Sequence, residues 1–159
     1  MSEQRPHDAW HRPLRHTPSG TASPATAQST GMHRLEGISG RMSGSEKIWM
    51  GENRVDAGVR TSDHHHGHSE TGIYVVSGHP RFVFLVGGAE TAIDAGPGDY
   101  VYVPPWTPHR EENPSATEVA TVVLARSTQE AIVINVADLT GRPNGLGQRG
   151  PDDGMTTGR

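Results

Sequence analysis

An all-β fold, an antiparallel sandwich or closed barrel, is what this sequence predicts, and three observations predict it. Short runs rich in Val, Ile, Tyr and Phe recur between residues 47 and 136. Turn-forming pairs of Gly, Pro, Asn and Ser separate them. No stretch holds an apolar period of 3.6 over ten residues, so no amphipathic helix is expected. Many short strands joined by tight turns pack as two facing sheets or close on themselves.

The expected strands follow in order. KIWMG (47–51) and NRVDAGVR (53–60) come first, then GIYVVSG (72–78) and RFVFLVGG (81–88), parted by SGHP. ETAIDAG (90–96) follows a Gly-Gly turn. DYVYVPP (99–105) follows AGPGD, where Pro97 presets φ and Gly98 permits positive φ. Pro104 and Pro105 end that strand because neither can donate to a ladder. EVATVVLA (118–125) and AIVINV (131–136) complete the set. Tyr74, Tyr100, Tyr102, Phe82 and Phe84 lie on these strands, and alternation turns about half of such residues inward.

The flanks read differently. Residues 1–30 are rich in Pro, Ser, Thr, Ala, Arg and His, with Trp10 and Leu14 as isolated apolar anchors. They are expected to form a disordered tail, or an arm docked by those two residues. The barrel is expected over 31–140, with a second disordered tail over 141–159.

Composition removes several classes of function. The 159 residues carry a formal charge of −4 with no long run of one sign, which gives no footprint for nucleic acid or an anionic membrane. With no cysteine, disulfides, thiolate metal sites and cysteine nucleophiles are excluded. No apolar run approaches the ~18 residues of a membrane span, and the N-terminus shows no hydrophobic secretory core. A cytoplasmic location is expected.

Ten histidines point to metal. In DHHHGHSE (63–70), strand alternation puts His64 and His66 on one face and His65 on the other. A His-x-His pair on an extended strand sets two imidazoles side by side, able to grip one ion. Gly67 permits a bend that can return Glu70 to the same place, and His68 is expected at the mouth or behind the ligands. In GDYVYVPPWTPHREEN (98–113), His109 follows the proline turn, where the next strand can aim it inward. Glu111 and Glu112 are possible acid–base groups beside it.

These two segments resemble the two motifs of the cupins, small double-stranded β-helix (jelly-roll) barrels. The first cupin motif, G-x5-H-x-H-x3/4-E-x6-G, is similar to Gly58, His64, His66, Glu70 and Gly78 here. One extra residue precedes Gly78, so either a bulge absorbs it or Thr71 takes the carboxylate's aligned place. The second, G-x5-P-x-G-x2-H-x3-N, is similar to Gly98, Pro104, Trp106, His109 and Asn113, with Trp106 where the family has glycine.

The resemblance implies that His64, His66, Glu70 and His109 bind one metal inside the barrel, and that the protein is a homodimer. Nitrogen-rich ligation suits one divalent transition metal, Fe(II), Zn(II), Mn(II), Ni(II), Cu(II) or Co(II). An ion with free positions can act on a small oxygen-bearing molecule. The expected function is therefore a metal-dependent, oxygenase-like enzyme. An isomerase, epimerase or lyase, a non-catalytic ligand-binding barrel and a purely structural metal site are the alternatives. Ordinary imidazoles would release metal as pH falls through roughly 6.5.

Overall fold

The computed structural model describes residues 12–142. Ten strands and one helical turn follow in chain order: β1 (Met32–Ile38), α1 (Gly40–Ser43), β2 (Trp49–Val55), β3 (His64–His65), β4 (Thr71–Ser77), β5 (Arg81–Val86), β6 (Ala89–Asp94), β7 (Tyr100–Val103), β8 (His109–Glu112), β9 (Ala120–Arg126) and β10 (Ile134–Asn135). They form two five-stranded sheets, in the orders β1-β2-β9-β4-β7 and β10-β3-β8-β5-β6. Every pairing is antiparallel. The all-β jelly-roll architecture expected from the sequence is what the chain adopts.

Strand alternation builds the interior. Along β9 the buried positions are Ala120, Val122, Leu124 and Arg126, and along β4 they are Thr71, Ile73 and Val75. The register sets Val75 opposite Val122, Ile73 opposite Leu124, and Thr71 opposite Arg126. Ile73, Val75, Val122 and Leu124 form the main core cluster with Trp49, Phe82, Ala95 and Val103. Each large apolar side chain so buried contributes about 1.5–3 kcal/mol. The inward rows of β4 and β9 thus run apolar for two steps and end in a polar pair, which places a polar chamber at one end of an apolar barrel.

Three local features differ from the sequence expectation. β1 was not expected, because MHRLEGI lacks a clean period of two; it is held by pairing with β2 from Met32–Val55 to Ile38–Met50. The run 53–60 breaks after Val55, where the Asp56 amide donates to Gly31 O and Gly58 takes a φ of 72°. The last run, 131–136, pairs only through Ile134 and Asn135, which lie against His65 and His64. Residues 12–30 run beside β1, with Ser23 bridged to Glu36 and Thr17 Oγ1 donating to Gly37 O. Leu14 is exposed there, while Trp10 and the segment after 142 lie outside the described residues.

Two motif residues act as structural pins. Gly78 has a φ of 78°, and a Cβ there would come within 2.6 Å of Ala120 Cα, so any side chain would push β4 off β9. Asn113 is fully buried, and its amide donates to Val55 O at 3.0 Å, Asp56 O at 3.2 Å and Glu118 O at 2.8 Å. Its Oδ1 accepts from the Ser115 amide at 3.2 Å. One side chain thereby ties the end of β2 to the loop before β9. Asn113→Ala removes all of these side-chain hydrogen bonds, leaving Asp56 O only the Val59 amide, and we expect a loss of about 2–4 kcal/mol, read as a lowered urea midpoint with unchanged slope. Stability equal to wild type would contradict this role.

Candidate metal centre

Three imidazoles converge in the polar chamber. His64 lies directly opposite His109 in the β3–β8 pairing, so their side chains share the inner face. His66 follows His64 by two residues and returns to the same side. Ring centroids stand 4.5 Å apart for His64 and His109, 4.9 Å for His66 and His109, and 5.0 Å for His64 and His66. One ligand atom from each lies within 4.8 Å of the other two.

Backbone carbonyls set the rings. His64 Nδ1 donates to Ser62 O at 2.8 Å, His66 Nδ1 to Ile132 O at 2.8 Å, and His109 Nδ1 to Thr107 O at 3.0 Å. A carbonyl can only accept, so each Nδ1 carries the proton and each Nε2 keeps its lone pair. This is the outer support that metal-binding histidines need. His109 Nε2 is buried with no hydrogen-bond partner. Three bare nitrogens facing one another, one of them buried and unpaired, fit a divalent ion far better than they fit a packed core. The group can therefore hold a metal ion, and its nitrogen donors do not select among the transition metals.

Glu70 does not join the group. Its side chain is exposed and accepts a hydrogen bond from Tyr102 Oη at 2.7 Å on the outside of the barrel. Neighbouring residues on a strand face opposite ways, and the inward place goes to Thr71, which opens β4. Of the two alignments left open by the extra residue before Gly78, the structure takes the one with Thr71 in the carboxylate's place, and β4 shifts register against β9 between Val75 and Ser77. Thr71 is 3% exposed and its Oγ1 has no partner. His65 faces away from the centre and stacks near Trp106, with ring centroids 5.6 Å apart, and His68 is exposed.

Trp106, at the motif's glycine position, has a φ of 62°, a left-handed conformation costly for a bulky residue. Its amide donates to Gly67 O at 2.7 Å, tying the His66 bend to the loop that delivers His109.

Of two further inward residues, the sequence reading named one, Glu111, together with its neighbour Glu112, and missed the other, Arg126. Glu111 follows His109 by two residues on β8, and its Oε1 lies 4.0 Å from His109 Nε2 with the side chain 14% exposed. The period of two separates it from Glu112, which pairs with Arg110 instead. Arg126 ends the inward row of β9, its guanidinium 3.9 Å over the Trp49 ring. Leu124, Ala131 and Val133 share the lining of this inner cavity with His64, His66, Thr71, Glu111 and Arg126.

The family model for the cupin domain matches residues 51–125, which hold both histidine segments and the strands around them. The chain carries a cupin domain. No curated protein sequence matches the chain. Among solved structures, this cupin is similar to the oxalate decarboxylase of Lactobacillus farciminis in complex with formate, with a TM-score of 0.60 and 18% identity. That likeness covers 72% of this chain and 33% of the other. It is also similar to the Bacillus subtilis oxalate decarboxylase at pH 4.6, with a TM-score of 0.59 and 22% identity over 69% of this chain and 28% of that one. The Bacillus enzyme has Mn(II) centres. At these identities the likeness shows the fold, and the chain spans about a third of the length of those neighbours.

Burial makes these imidazoles hard to protonate. It pushes His66 down to about 4, and the nearby His109 and His64 add to the effect. Burial, then the neighbouring His109, also lowers His64. Protons therefore compete for these nitrogens at lower pH than the 6.5 of a free imidazole, and metal should be held further into the acid range than the sequence suggests. The metal-free chain pays in stability: unfolded histidines take up protons near 6.5 while the folded ones refuse them. Stability is full above that value and falls as pH drops from about 6.5 toward 4. Thermal melts of metal-free protein across that range should show the decline, with a shallower slope in His66→Gln; an identical slope would exclude His66 as its source.

Proposed function

We propose that this cupin is a metal-dependent enzyme acting on a small oxygen-bearing molecule, with His64, His66 and His109 as the protein ligands. The observation that carries this reading is the set of three Nδ1–carbonyl hydrogen bonds that leave three Nε2 lone pairs converging in one buried place. A divalent ion held there would supply a Lewis acid, and iron would add redox chemistry with dioxygen.

The rest is the work of the chain's own groups. Thr71 stands inward where a fourth, anionic donor would be, so three neutral nitrogens leave positions free on an ion that accepts five or six ligands. That openness favours catalysis over a closed structural site. Leu124, Ala131 and Val133 line the inner cavity with apolar surface and exclude water beside the nitrogens. Glu111 can hold or accept a proton about one ligand's width from His109. An oxygenase-like reaction is our first reading. The isomerase or lyase reading rests on that Glu111 carboxylate, since both need a base beside the bound substrate.

Elemental analysis of protein purified without a histidine tag should find about one transition metal ion per chain, and His109→Ala should lose it. Equal metal content in the variant would sink the centre. Oxygen uptake by Fe(II)-loaded protein offered small hydroxy acids and ketones then separates the oxygenase from the other reactions: consumption stoichiometric with substrate supports it, and turnover without consumption supports isomerase or lyase.

The homodimer remains our proposal as well. Tyr74, Val76, Tyr100 and Tyr102 are exposed together on the outer face of β4 and β7, with the Tyr74 and Tyr100 rings 4.9 Å apart. Sedimentation should return twice the 17.1 kDa chain mass, and Tyr100→Glu should return a monomer; a wild-type monomer would contradict it.

A further inference from the structure

Three arginines lie along the way into the centre, and the reading above uses none of them. Arg126 is 8% exposed, and its Nε is buried without a hydrogen-bond partner. Among the described residues no carboxylate lies within ion-pair distance of it. Burial lowers its pKa to about 10, with the charge of Arg34 adding to the effect. A guanidinium stays charged at that value; the Trp49 ring and the more distant charge of buried Glu36 act on it, but no carboxylate pairs with it, so the fold keeps a buried cation that is costly unless something anionic meets it. Arg110 shows the ordinary arrangement in the same molecule: it pairs with Glu90 at 3.1 Å and Glu112 at 2.8 Å.

The approach has the same sign. A vestibule of about 290 Å³ is lined by Arg34, Arg60, Thr61, His64 and Asn135, with no acidic residue among its walls. Arg34, Thr61, His64 and Val133 also line the inner cavity of about 30 Å³, so the two spaces adjoin. Arg34 spends its hydrogen bonds on Ala27 O and Ser29 Oγ and has no carboxylate partner among the described residues. In a chain of net charge −4, an approach walled by Arg60 and Arg34 and ending on a buried, unpaired arginine is a local reversal of sign, with Glu111 the one acidic residue in the wall of the inner cavity. The inner cavity has room for a group the size of a carboxylate, and the vestibule for the rest of a small molecule.

We infer that the substrate is a small carboxylate, its carboxyl group held by Arg126 and its other oxygen facing the three histidines, drawn in past Arg60 and Arg34. Thr71, opposite Arg126 across β4 and β9, offers its unpartnered hydroxyl to the same group. A guanidinium donates two parallel hydrogen bonds to a carboxylate, and in a dry site such bonds are strong. The inference rests on the metal reading above, because the histidines are its second point of attachment.

The test uses the full chain loaded with Co(II), whose visible spectrum reports ligands entering the centre. Glycolate and ethylene glycol serve as probes, since they differ by one carboxylate. Wild-type protein should bind glycolate at least tenfold more tightly than ethylene glycol. Arg126→Met should lose at least about tenfold in glycolate affinity with Co(II) content unchanged, and Arg126→Lys should retain part of it. Arg60→Gln, at an exposed position, should weaken glycolate binding by a few-fold at low salt and not at high salt. Equal binding of the two probes to the wild type, which requires no variant to fold, overturns the carboxylate site. So does Arg126→Met binding glycolate like wild type. A wild-type chain that takes up no Co(II) overturns the metal centre and this inference with it, and elemental analysis of the same samples tells the two failures apart.

Discussion

The hydrogen bond from an imidazole Nδ1 to a backbone carbonyl, made three times, is the constraint on which the centre depends. Two of these bonds are local: Ser62 and Thr107 each precede their histidine by two residues, so the chain that delivers the ring also sets its tautomer. The third is not. His66 is set by Ile132, sixty-six residues away, on the segment that crosses the mouth of the barrel. The Ile134–Asn135 pairing with β3 and the bond from the Val136 amide to Asp63 O hold that segment down. The centre is complete only when the last part of the domain has closed over the first.

The barrel separates its tasks by height along the same strands. β4 and β9 bury Val75 and Val122, then Ile73 and Leu124, before presenting Thr71 and Arg126. The apolar layers supply the stability and keep water from the polar end, and the polar end carries three of the five buried, unpartnered side-chain atoms among the described residues, the other two being on Asn53 opposite Val122. His109 Nε2, Thr71 Oγ1 and Arg126 Nε are all buried without partners in this one chamber. Each costs stability by itself. Their concentration at one end, around one cavity, is the mark of a site built for something that arrives later.

Much of this was legible in the residues. Two short motifs at their spacing carried the fold, the three histidines and the pin at Asn113. What could not be read was which of two adjacent residues turns inward. Glu70 and Thr71 are separated by a single peptide, and a one-residue shift exchanges the faces of a strand. Gly78 is fixed against Ala120, and the register shift between Val75 and Ser77 is what brings Thr71, not Glu70, inward opposite Arg126; no residue in that run announces the shift. Arg126 was hidden for another reason. It follows a run that ends in LAR, where an arginine ordinarily leaves the sheet for solvent, and only the register against Thr71 and Trp49 shows it facing in. Trp106 kept the glycine's backbone conformation although it is not glycine, which no propensity foretells.

The threonine in place of a carboxylate has a consequence for how this protein is loaded. Three neutral donors leave the full charge of a divalent ion unneutralised, so the protein alone grips it less firmly than a site with its own anion would. An anionic ligand that enters beside Arg126 would supply the missing charge. Thermodynamic linkage is reciprocal: by whatever factor the ion tightens that ligand, the ligand tightens the ion. Occupancy by metal then depends on the supply of the small molecule as well as on the supply of the metal, and the two fill the barrel as a pair.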